Sequence, residues 1–187
     1  VFAQYYALDP AANAARIVHV GEREIGQPGM GSTTSSENAY DWHRMSKSFA
    51  AFGLYRTFSM TLTGAGDPTR IDVAEVTPGM FDVFGVRPVM GRAIVHADTG
   101  VGVLTVANAV VSHDFWRTRL GADPNAIGRE IQMNFNPVRI VGVLPPGFHG
   151  PQRLDRPVWL NFVNDTSEGR TARSKNVCTT SSRKSKT

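Results

Sequence analysis

The chain has 187 residues and a single cysteine, Cys178, near its end. Residues 1–162 therefore hold no thiol, which excludes disulfides and thiolate metal sites from that stretch. A thiol-free body suits an oxidising compartment, where a spare thiol is a liability. Long hydrophobic runs are also missing. The longest candidate, 101–111, falls short of the ~20 apolar residues that a bilayer requires and is interrupted by Thr105 and Asn108. It reads instead as buried strand. Val1–Leu8 has neither a charged-then-apolar start nor a small-residue cleavage pattern, so no signal peptide is read there. Gly-Lys-Ser/Thr occurs nowhere. The glycine-rich segment Gly26–Gly31 thus lacks the lysine and hydroxyl of a phosphate-cradling loop and reads as a surface loop.

Charge is scarce on the body and concentrated in the tail. The chain has 20 basic and 16 acidic residues, but residues 163–187 hold six of the basic and two of the acidic ones. Residues 1–162 are left with 14 of each, a net of zero, and carry no electrostatic footprint for nucleic acid or anionic lipid. Lysine shows the same break: Lys47 stands alone in the body against 13 arginines, while the tail has three lysines. That tail is dense in Ser, Thr and Lys and lacks apolar periodicity. It is expected to be disordered, either a linker or a terminus made by truncation or a shifted reading frame.

What is present is an ordinary globular composition, 41% hydrophobic and 19% charged, long enough for a real core. Arg16–Glu24 reads as a strand. A helix is predicted over Glu37–Phe49, capped by Ser36, with Trp42, Met45 and Phe49 as its apolar stripe. Strands are predicted at Phe52–Thr61 and Arg70–Val76 around the turn at Gly64–Pro68. A short helix follows, with Thr77 as cap, Pro78 in its first turn, Gly85 as its stop, and Met80, Phe81 and Phe84 buried. Val103–Val111 reads as a strand. Ser112 caps a third helix that runs to Leu120, with Asp114 in its first turn and Arg117 and Arg119 in its last, as the helix dipole favours. Glu130–Asn134 alternates, with Ile131 and Met133 inward, and turns through Asn134–Pro137 into Val138–Val143. Pro157–Leu160 closes the body. Helices interspersed with hairpin-linked strands give an α+β class.

The search for chemistry returns no catalytic, cofactor-binding or metal-binding residue. Ser112-His113-Asp114 has the residue types of a hydrolase triad, but successive helix positions diverge by about 100° and cannot converge on one reacting atom. Helix capping explains it better. His19, His43, His96, His113 and His149 show no metal-binding spacing. Glu22 and Glu24 share a strand face and read as a solvated edge. Arg183 and Lys184 in the tail have no interleaved aromatic, so solvation is the plain reading. Tyr40-Asp41-Trp42 could form a partner-binding knob, although core packing of Trp42 is the stronger expectation.

A series of short motifs then falls in order from Asn38 to Leu160. It begins with Tyr40-Asp41-Trp42, Ser48-Phe49 and Leu62-Thr63-Gly64, and continues through Val76–Pro88 (VTPGMFDVFGVRP) into Gly91-Arg92. Val111-Ser112, Phe115-Trp116, Leu120–Pro124 (LGADP) and Ile127-Gly128-Arg129 follow. Val141–Phe148 (VGVLPPGF) and Pro157–Leu160 (PVWL) complete it. No one motif is specific, but their order and spacing resemble the MacB-like periplasmic core domain of FtsX-like ABC transporter permeases, in particular those without a fused ATPase. These are glycines at turns and aromatics packed between them, which specify a scaffold.

The resemblance implies an extracytoplasmic domain of a bacterial inner-membrane permease, lying between two membrane helices that this sequence does not contain. It implies a mixed sheet with packed helices over 1–97, a smaller inserted β-rich subdomain over 98–162, and return strands where the basic tail 163–187 stands instead. The sheet is accordingly expected to be incomplete at its C-terminal side, with an exposed edge. By resemblance the domain is non-enzymatic, needs no cofactor, and couples ATP hydrolysed by a cytoplasmic ATPase subunit to export or to a periplasmic protein partner. A homodimer also fits the resemblance; nucleic acid does not. Two other readings stand beside it: a small periplasmic or secreted hydrolase with an unrecognised site, and nucleic-acid binding through the tail.

Overall fold

The computed structural model describes residues 2–5, 17–21, 34, 36–46, 49–64, 67–98, 106–150, 155–162 and 178–183. In chain order the elements are β1 (Phe2–Tyr5), β2 (Ile17–Gly21), α1 (Ser36–Met45), β3 (Phe49–Thr63), β4 (Thr69–Val76), α2 (Met80–Phe84) and β5 (Met90–Gly91). After a single 3-10 turn at His96–Asp98 come β6 (Ala107–Val111), α3 (His113–Arg119), β7 (Glu130–Met133), β8 (Asn136–Val143), β9 (Val158–Asn161) and β10 (Cys178–Arg183). The class is α+β with a mixed sheet: β4–β9 and β6–β8 pair in parallel, and the other ladders are antiparallel.

The strand order β1-β2-β10-β3-β4-β9-β6-β8-β5 has one branch, because β7 pairs with both β3 and β8. Through that branch the path β3-β4-β9-β6-β8-β7 returns to β3, with Leu62 opposite Met133 and Thr63 opposite Gln132. Six strands thus close into a small barrel. Side-chain alternation agrees with the closure. All six strands send residues into one cluster, among them Leu62, Val73, Val111, Ile131, Met133, Ile140, Val158 and Leu160. The intervening positions Tyr55, Ala74, Val76, Val110, Val141 and Trp159 form a second cluster with Met80 and Phe81 of α2. The first cluster is therefore the barrel interior, and the second packs α2 against its wall. Each fully buried aliphatic side chain contributes roughly 1.5–3 kcal/mol.

β3 is the spine. Its first half, Phe49–Tyr55, pairs with β10, and its second half, Tyr55–Leu62, pairs with β4 inside the barrel. One continuous strand so joins the barrel to the outer strands β1, β2 and β10. At the junction the chain has no room for side chains. A Cβ on Gly53 would lie 2.7 Å from the Met80 Cα, and one on Gly79 would lie 2.1 Å from the Phe52 carbonyl oxygen. Glycine at these two places lets α2 seat directly on β3.

Several predicted elements form as read, including the Ser112 cap, whose Oγ accepts a hydrogen bond from the Phe115 N–H at 3.1 Å. Gly85 ends α2 in the left-handed conformation at φ 65°. Three expectations need correction. The first helix stops at Met45, so Phe49 belongs to β3, and Met45 is 79% exposed rather than part of a buried stripe. Thr77 does not cap α2. Its Oγ1 accepts instead from the Leu54 N–H at 2.8 Å, because the side chain lies over β3.

The third correction concerns the tail. Cys178–Arg183, expected to be disordered, is β10 and sits between β2 and β3. A strand in that slot satisfies its backbone on both sides and does not need apolar periodicity, and β-branched Thr179 and Thr180 suit it. The sheet thus gains a strand after Leu160, where the tail was expected to leave it incomplete. The segments 22–33 and 163–177, which hold the glycine-rich loop, Glu22, Glu24 and most tail charges, lie outside the described residues. Among the described residues no helix is long and apolar enough to cross a membrane.

Candidate functional site

The residues singled out for chemistry are not brought together. Ser112 is committed to capping α3, the His113 ring packs against the Trp116 ring with centroids 5.3 Å apart, and the Asp114 carbonyl accepts from the Thr118 hydroxyl. His43 stacks on Phe52 at 4.7 Å, and His149 pairs with Asp155. His19 falls in β2 and His96 in the 3-10 turn, on different parts of the fold. No group of three His, Cys, Asp or Glu side chains comes together among the described residues. Asp41 is exposed and pairs with Arg44 at 2.7 Å, while Trp42 is half-buried, so this stretch is a modest surface feature of α1. Arg183 ends β10 opposite Phe49.

The most concentrated polar geometry is one that sequence reading missed. The Arg92 guanidinium donates two parallel hydrogen bonds to the Asp98 carboxylate, at 2.6 and 2.8 Å. The Val95 N–H and the Asn108 side-chain amide donate to the same carboxylate at 2.8 and 2.9 Å. Asn161, almost wholly buried at the end of β9, accepts from the Asn108 N–H at 2.7 Å and donates to the Asp98 carbonyl at 2.5 Å. Burial pushes the Asp98 carboxyl up, but the Arg92 and Val95 hydrogen bonds and the guanidinium charge outweigh it and hold the group below its ordinary value. The hydrogen bonds it donates to Asp98 raise Arg92 against the opposing effect of burial.

Both Asp98 carboxylate oxygens, the Asp98 carbonyl and the Asn161 Oδ1 each accept from a protein donor. The cluster clasps the 92–98 segment to β6 and β9. The only signal for it in the sequence was Gly91-Arg92. Nothing in the spacing tied that pair to Asp98, Asn108 and Asn161.

A second polar pair spans the barrel wall. Arg56 and Glu75 face each other across the β3–β4 ladder, and the Arg56 Nε donates to the Glu75 carboxylate. The guanidinium also lies over the Phe58 and Phe162 rings, at 5.5 and 5.4 Å. This is the packing of a half-buried arginine against aromatic faces.

Comparison with known proteins identifies the family. The family model described as MacB-like periplasmic core domain matches residues 2–181. The chain belongs to that family. As a MacB-like domain it is the extracytoplasmic part of an ABC-type transporter permease, and the match runs into β10, in keeping with that strand's place in the sheet. Two solved structures of the same kind show the fold. The periplasmic region of MacB from Actinobacillus actinomycetemcomitans is 14% identical, with a TM-score of 0.62, covering 95% of this chain and 78% of that one. The extracellular domain of the noncanonic ABC-type transporter YknZ from Gram-positive bacteria is also 14% identical, with a TM-score of 0.60 over 91% and 83%. Among curated protein sequences none matches the chain.

Proposed function

We propose that this MacB-like domain is the passive lever of its permease. A cytoplasmic ATPase subunit supplies the force, membrane helices outside this sequence transmit it, and the domain converts it into export or into work on a periplasmic protein partner. It catalyses nothing itself. The observation that carries this reading is β3. Its fifteen residues run without interruption from the outer strands into the closed barrel, so displacement of one end is delivered to the other. Packed β-structure resists continuous deformation and moves as a body. Strands β6–β9 close the barrel around β3 and β4, and the barrel is the part such a lever would move.

The test is reconstitution of the full-length permease with its ATPase in proteoliposomes. Replacing residues 2–181 by a short linker is expected to leave ATPase binding intact while abolishing transport and substrate-stimulated ATP hydrolysis. Transport that survives the replacement would sink the proposal. So would a hydrolytic activity of the full-length permease that Ser112→Ala or His113→Ala removes.

A further inference from the structure

The inward-facing positions of the barrel strands continue past its last aliphatic side chains. On β3, Met60 and Leu62 pack in the interior cluster, and the same alternation carries Phe58 and Arg56 to that face. On β4 it carries Glu75 after Val73, and past β9 it carries Phe162 after Val158 and Leu160. The parallel ladder reaches that far, because the Phe162 N–H donates to the Val76 carbonyl at 2.9 Å. Arg56 lies opposite Glu75, and Phe58 opposite Val73. These four side chains therefore stand together at one mouth of the barrel.

The guanidinium is held there from three sides. Glu75 is buried and accepts from the Arg56 Nε. The Phe58 and Phe162 rings flank the guanidinium carbon at 5.5 and 5.4 Å. A guanidinium has five N–H donors, and this arrangement uses the one on Nε. Among the described residues no acceptor meets either η nitrogen of Arg56. Neither is buried without a partner, so both reach solvent. Arg92 shows the opposite state in the same fold, with both of its η nitrogens bonded to Asp98. One arginine is closed on its partner; the other is oriented and open.

Closing a barrel mouth does not call for such a pair. Apolar side chains of similar volume close a protein interior as well or better than an ion pair, whose desolvation is costly. What Arg56 and Glu75 add is a charged planar fork fixed in direction, and that fork matches the two oxygens of a carboxylate. The Glu75 charge offsets that of Arg56, which disfavours a dianion more than a monoanion. Phe58 is 37% exposed beside the fork and offers apolar surface to whatever carries the carboxylate.

We propose that this mouth binds an organic carboxylate, with the Arg56 η nitrogens holding its oxygens and the exposed part of the Phe58 ring covering its apolar body. Glu75 and Phe162 are positioning residues that aim the guanidinium. The site needs the barrel alone and does not depend on the lever reading.

The probe is 3-phenylpropionate, a carboxylate on a phenyl body. It is titrated against the full-length permease in lipid nanodiscs by saturation-transfer NMR, with empty nanodiscs as the blank. Saturable binding is expected at about 1 mM, the scale of one bidentate contact and a partly covered ring. Arg56→Lys keeps a cation for Glu75 but has no fork, and should raise the Kd about tenfold. Phe58→Ala removes a half-exposed ring and should raise it about threefold. Thermal melts establish that each variant is folded, and F58A carries the test by itself if R56K is not. Equimolar sulfate should leave the bound probe in place. Absence of saturable binding, a Kd unchanged in folded R56K or in F58A, or displacement by sulfate would overturn the proposal. Such a failure leaves the lever standing, since the linker replacement tests that reading without the probe.

Discussion

Asp98 shows what it takes to keep a carboxylate inside. It is buried, and the desolvation cost is met only because four donor groups converge on it: two N–H arms of Arg92, the Val95 N–H and the Asn108 amide. Its ordinary, unfolded value is near 3.9, and the folded value lies below it. A group depressed on folding contributes stability that is complete above the unfolded value and disappears as pH falls through the folded one. The acid limb of the stability curve below about pH 4 should therefore contain an Asp98 component. Asp98→Asn is expected to lower stability at pH 7 by about 2–3 kcal/mol, less than for a fully buried pair because Arg92 is half exposed. It should also flatten the loss between pH 5 and pH 2. Urea titrations of wild type and D98N across that range decide the matter; equal slopes would remove the clasp from the account.

At the scale of elements, what was legible followed local rules and what was not depended on distant partners. α3 is announced by Ser112, the acid in its first turn and the arginines in its last, all within eight residues. β7 alternates so plainly that Ile131 and Met133 could be placed inside before any fold was known. The end of α1 was misplaced because Met45 and Phe49 keep helical spacing although Phe49 is needed for pairing with Arg183. β10 was missed altogether. Its sequence, CTTSSR, has no apolar face to read, and its strand character comes from the two neighbours that flank it. The same dependence makes a prediction. Every β10 residue in its interior offers its backbone to β2 on one side and β3 on the other. Thr180→Pro removes an N–H from the ladder and leaves a carbonyl partner unsatisfied, at roughly 1–3 kcal/mol plus steric conflict of the ring. Hydrogen exchange in T180P should accelerate at Val18–Gly21 and Ala51–Leu54 while the amides of β6 and β9 stay protected. Uniform acceleration would instead mean that the outer strands and the barrel unfold together.

For the molecule as a whole, the question is what keeps six strands closed. Five of the six ladders in the ring join three or more residue pairs, but the closing seam between β3 and β7 has only Leu62–Met133 and Thr63–Gln132. Asn134 lengthens that seam by bonding Thr61 through both its backbone and its side chain. The function of this closure could not be read from the sequence, because Leu62, Asn134 and Met133 look like the ordinary ends of two hairpins until their registers are superposed. Asn134→Gly tests it with little disturbance to the turn, since glycine accepts the positive φ while losing only the side-chain bond to Thr61. The expected cost is about 0.5–1.5 kcal/mol, the net value of one hydrogen bond. The loss should be local: amides of Thr61, Thr63 and Asn134 exchange faster, and those of β4 and β9 do not. A barrel that loosens evenly would show that the interior cluster, with Met133 and Leu62 at its seam end, closes the ring by burial alone, and that the Asn134 bond serves only to aim the hairpin tip.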